Sequence, residues 1–124
     1  MALYQSDRAA SDKPFYTLFI GNTDDRPFSA TQRADIFQLV LRHFPSFTAL
    51  DAQGFYKGKP LPTLQVQVAT KDRYSLLAIC QELGLYLQQK FIGLSDGQIF
   101  QSVAIIEPDQ HPQTEVKLPE RDRK

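Results

Sequence analysis

The chain has 124 residues, 42% hydrophobic and 23% charged, which is ordinary globular usage and enough for one domain with its own core. Fourteen basic residues balance fourteen acidic ones, so the basic excess of a nucleic-acid binder is missing and little net charge keeps copies apart. The single cysteine, Cys80, excludes an internal disulfide, and the two histidines, His43 and His111, lie too far apart in sequence to suggest a zinc site.

Residues 1–13 are polar and mixed in charge and read as a flexible arm. They lack the apolar run of a signal peptide, and no stretch of the chain reaches the roughly 18 apolar residues of a membrane span. A soluble cytoplasmic protein is the expectation. From residue 108 onward Pro108, Pro112 and Pro119 stand among charged residues, so this segment reads as a flexible polar tail. Residues 14–107 are then a single domain.

Residues 15–20, F-Y-T-L-F-I, form a short strand rich in aromatic and β-branched residues, closed by Gly21 and Asn22. Both of its faces are apolar. Ser29 and Gln32 have capping-box spacing, and Ile36, Phe37, Val40, Leu41 and Phe44 follow at helical spacing, so a helix is expected over about residues 30–44. Pro45 stops it. A second strand covers about residues 47–53 and continues to Tyr56 if Gly54 makes a bulge. Residues 57–62 read as a return loop. Leu64, Val66 and Val68 alternate with Gln65 and Gln67, the clearest period-two signal in the chain. Asp72 caps a second helix over about residues 73–90, with Leu76, Cys80, Leu83 and Leu87 on one stripe. Gly84 within it costs about 1 kcal/mol relative to Ala, so either a close helix–sheet contact demands it or it is simply tolerated. Residues 93–97 read as a turn cluster, and residues 99–106 as the last strand.

This order is that of an α+β, ferredoxin-like βαββαβ fold: an antiparallel sheet with two helices on one face. The expected core is Phe19, Ile36, Phe37, Val40, Val66, Val68, Leu76, Cys80, Leu83 and Leu87.

The early L-F-I-G, the central F-P-S-F-T-A-L-D-A-Q-G-F-Y and the later Y-L-Q-Q-K-F together resemble a family of small bacterial domains of unknown function, DUF3574, across residues 16–105. The matching positions of the central motif are Phe44, Pro45, Leu50, Asp51, Ala52, Gln53 and Gly54. The resemblance implies the same fold and no particular activity. It also implies an exported protein, from which a chain without a signal peptide departs.

The polar, aromatic and basic groups gather at Asp51, Gln53, Tyr56, Lys57 and Lys59, around two glycines. They are the candidate ligand-binding residues, for a small polar or anionic molecule held in a backbone nest. The plainer reading places Asp51 and Gln53 on the exposed face of a strand and the lysines on a solvated hairpin. His43 near a helix end suits the helix dipole, and as a base it would need an acid such as Asp51. Cys80 reads as a small buried hydrophobe. No catalytic, metal or cofactor signature is present. Two helices cover one side of a sheet, so Tyr16, Leu18 and Ile20 are expected on the open side, as an interface for a second copy of the chain.

The expected function is thus a homo-oligomeric interaction or ligand-binding module, leaning away from an enzyme. A small dimeric enzyme with a pocket between helices and sheet is the first alternative. A regulatory protein of the PII type, with an effector-binding loop, is the second.

Overall fold

A computed structural model describes residues 13–106. The expected arm and tail therefore lie outside the described residues, apart from Lys13. The elements in chain order are β1 (Phe15–Gly21), α1 (Ala30–Leu41), β2 (Thr48–Tyr56), β3 (Lys59–Ala69), α2 (Arg73–Leu87), β4 (Phe91–Ser95) and β5 (Phe100–Ala104). The five strands form one antiparallel sheet in the order β2-β3-β1-β4-β5. This α+β arrangement fits a ferredoxin-like fold. It differs from the expected βαββαβ pattern in strand count, with β5 added outside β4.

The helix starts follow from their caps. Ser29 Oγ accepts from the Gln32 N–H at 3.1 Å, and Gln32 Oε1 accepts from the Ser29 N–H at 2.9 Å, completing the capping box. Asp72 accepts from the Ser75 N–H at 3.0 Å and from its hydroxyl at 2.6 Å. Those bonds, led by the hydroxyl, hold the Asp72 carboxyl below its ordinary value of 3.8. Amide bonds from Ile99 and Gln98 do the same for Asp96 in the β4–β5 turn. A depressed carboxyl stabilises the folded chain above its unfolded pKa, and the contribution is lost as pH falls through the folded value. The melting temperature should therefore drop below about pH 4. Asp72→Asn keeps a capping oxygen and should flatten part of that limb; an identical acid limb in the variant would count against the charged cap.

The strand ends differ from expectation. The return loop is only Lys57 and Gly58, with φ of 52° and 80°, the left-handed pair that a type I′ hairpin requires. β2 pairs with β3 residue for residue from Thr48 to Tyr56, so Gly54 makes no bulge. Pro60 and Pro62 lie inside β3, where the sequence suggested loop. They sit beyond Thr63, the last partner of β1, and Pro62 aims its carbonyl away from β2. On that side the missing N–H of each proline costs no ladder bond. The expected turn cluster at 93–97 is also corrected. Ile92 and Leu94 alternate inward as β4, and the turn is confined to residues 96–99.

One apolar cluster joins Leu18, Ile20, Leu64, Val66, Val68, Ile92 and Leu94 of the sheet to Ile36 and Val40 of α1 and Leu76, Ile79, Cys80 and Leu83 of α2. Of the expected core, Phe37 and Leu87 are partly buried, and Phe19 faces away from the helices. Cys80 is fully buried and free, and burial pushes its thiol up to about 12, which suits an inert core residue. Gly84 has its reason: a Cβ there would collide with the Ile105 side chain, which packs directly on the helix.

The orientation of β1 is the main correction. Leu18 and Ile20 are 0% exposed beneath the helices, and Tyr16 packs against the same core. They do not form an outer face. Register explains why: Leu18 stands between Val66 and Leu94, and Ile20 opposite Leu64, so they share the inward parity of those strands. Phe15 and Phe19 point to the helix-free side instead.

Candidate functional site

The helix-free face of the sheet carries a groove of about 860 Å3, within the range of small-molecule sites. Its floor is built by glycines. A Cβ on Gly21 would stand 2.7 Å from Leu61 Cδ2, one on Gly54 would stand 2.8 Å from Thr63 Oγ1, and one on Gly93 would stand 2.8 Å from the Phe100 ring. In each case a neighbouring side chain lies down across the bare strand, which keeps the floor flat. The Phe100 ring also meets Phe19 edge-on, with centroids 5.7 Å apart.

The rim is polar. The α2–β4 connection, residues 88–90, contributes Gln88, Gln89 and Lys90, and the β1–α1 loop contributes Thr23. Among the described residues, Lys90 is the one charged residue lining the groove, and no acidic residue lines it. The Gln89 amide donates to the Gly21 carbonyl at 2.6 Å, tying the rim to the end of β1. Asn22 anchors the loop on the other side. Its N–H donates to Pro62 O at 2.8 Å, its side-chain amide donates to Arg26 O at 2.6 Å, and its side-chain oxygen accepts from the Asp24 N–H.

A second, polar cleft of about 400 Å3 opens behind the same rim, among Asn22, Asp24, Gln32 and Tyr86. Thr23, Gln88 and Gln89 border both spaces. Tyr86 donates its hydroxyl to Asp35 at 2.5 Å, and that bond keeps the phenol above its ordinary pKa.

The five expected binding residues are divided. Gln53 and Tyr56 border the groove. Asp51 lies on the helix side, where Arg33 Nη1 binds it at 2.5 Å. Lys57 turns back over the Tyr56 ring, 5.3 Å from its centroid, and Lys59 opens β3 opposite Tyr56; neither lines the groove. The expected partner of His43 is replaced too. Its Nε2 lies 2.8 Å from Glu82 of α2, outside the groove, with Arg42 3.9 Å from the other carboxylate oxygen. Among the described residues, core side chains pack the space between helices and sheet where the alternative reading put a pocket. The residues missed by the sequence are Phe19, Gly21, Gly93, Phe100 and the 88–90 rim. The signal for them was glycine within apolar runs, which marks close approach as well as turns.

Among the described residues, no group of three or more His, Cys, Asp and Glu could hold a metal, and no helix is long and apolar enough to cross a membrane. Among solved structures, a phage SAM lyase in its apo state is similar, with a TM-score of 0.53 and 18% identity over 75% of this chain and 82% of that one. At this identity the likeness is one of fold. No family model and no curated protein matches the chain.

Proposed function

We propose that the protein is a small-ligand-binding module that works as a dimer, with the helix-free face of the sheet as its working surface. The observation behind this reading is that face itself. It combines a flat-floored groove with the exposed apolar side chains of Phe15, Leu50, Tyr56, Phe91 and Phe100, and apolar surface of this kind marks binding sites. A second copy is the partner that suits it. The face carries almost no charge and the chain has none net, so two copies meet without repulsion and their sheets roof the groove. Sheets packed face to face stand about 10 Å apart, leaving room for a bound molecule where glycines line the floor.

Native mass spectrometry of the undenatured protein tests both parts, since it reports stoichiometry and any retained small molecule. Leu50 lies on this face outside the groove and is 39% exposed, so Leu50→Glu should leave the fold intact and convert a two-copy mass to one copy. A parent that stays single-copy at micromolar concentration overturns the dimer.

An enzyme is the second reading, favoured by the fold neighbour's being named a lyase. SAM carries a sulfonium cation, and among the described residues the groove offers no acidic side chain to balance it. Ligand binding is therefore preferred. Calorimetric titration with SAM separates the two: heat of binding that Phe100→Ala abolishes would favour the enzyme.

A further inference from the structure

We propose that Gln88, Gln89 and Lys90 form the head-group end of the groove, and that the groove takes an anionic amphiphile: a flat apolar body with a carboxylate or phosphate at one end. This rests on the reading of the groove as a ligand site and goes further, by fixing the charge and shape of what enters.

Charge is the first ground. Among the described residues, Lys90 is the only ionised side chain lining the groove, and it forms no ion pair there. Lys90 is exposed, so its ammonium is free to make a charge-assisted contact with an anion at the edge of the apolar surface. Asp24 lines the polar cleft behind the rim and not the groove. The anion therefore belongs on the groove side.

The backbone of the rim is the second ground. α2 ends in a Schellman motif: the Gln89 N–H donates to Gly84 O at 2.9 Å, and the Gln88 N–H to Leu85 O at 3.3 Å. Its left-handed position, φ 56°, holds Gln88, where glycine is the usual occupant. A side chain kept in that conformation is a hint of use, because the fold alone is better served without it. Here the side chain it keeps borders both the groove and the cleft. The following residues are fixed as well. Gln89 is bonded through its amide to Gly21 O, and the Lys90 carbonyl accepts from the Ile105 N–H at 2.9 Å. Three consecutive side chains are thus presented to the same space from a pinned backbone.

The floor supplies the shape. Gly93 leaves the Phe19–Phe100 pair as a broad apolar surface on which a planar body can lie.

Two dyes test this on the full-length protein in its native assembly. Anilinonaphthalene sulfonate is a flat anion, and Nile red is flat and uncharged. The parent should bind both. Lys90→Gln should weaken the sulfonate about tenfold, the equivalent of one charge-assisted contact, and leave Nile red unchanged. Gln88→Gly should raise the melting temperature yet weaken the sulfonate; a purely structural Gln88 would raise the temperature with no change in dye binding. If Nile red binds and Lys90→Gln leaves the sulfonate unaffected, the anionic head-group site is overturned and the groove stands. If the folded parent binds neither dye, the groove reading itself fails.

Discussion

Leu18→Glu should prevent folding. Leu18 is 0% exposed, and its strand partners are Val66 on one side and Leu94 on the other, with no cation near it in the core cluster. An unpaired carboxylate there costs several kcal/mol even after the protein relaxes. The packing of the lost leucine adds about 2–5 kcal/mol. Together these approach or exceed the roughly 5–15 kcal/mol by which a domain is stable. Phe19→Glu is the contrast. One residue on, it faces the groove, where a carboxylate stays hydrated, so this variant should keep the far-UV circular dichroism of the parent. A Leu18→Glu protein that unfolds in denaturant like the parent would reverse the assigned faces of β1.

Leu83→Ala should destabilise by about 2–5 kcal/mol. Leu83 is 0% exposed on the stripe of α2 that presses on the sheet. Its neighbours there are Ile79, Cys80 and Gly84 of the same helix, all buried, so the site has little freedom to collapse around a cavity. Leu87, one turn later, is only partly buried, and Leu87→Ala should cost visibly less. Urea titrations of the two variants give the ranking. A Leu83→Ala change below about 0.5 kcal/mol, the range of ordinary surface substitutions, would remove it from the core.

The local elements were legible because their causes are local. The Ser29–Gln32 box, the Asp72 cap, the Leu76–Cys80–Leu83 stripe and the Leu64–Val66–Val68 alternation each act within a few residues, and each stands where the spacing put it. Gly84 is a partial case. Its helix interior position left open a close contact or simple tolerance; the contact is there, with Ile105, and nothing in the sequence singled out that residue. β4 was hidden because five residues with a central glycine carry a weak period, and Gly93 resembled a turn as much as a strand.

The sequence by itself determined the α+β class, the two helices with their caps, the free buried cysteine and the β2–β3 hairpin. Tertiary structure alone decided which face of β1 the helices cover. A strand apolar on both sides has no preferred face until its register with Val66 and Leu94 is set, and register is a pairing between residues dozens of positions apart. The groove was decided the same way. It exists because Leu61 lies over Gly21, Thr63 over Gly54 and Phe100 over Gly93, and no window of sequence contains all of these contacts. Periodicity and capping are short-range physics and can be read along the chain; the choice of faces and the shape between strands follow from long-range pairing and appear only when the sheet closes.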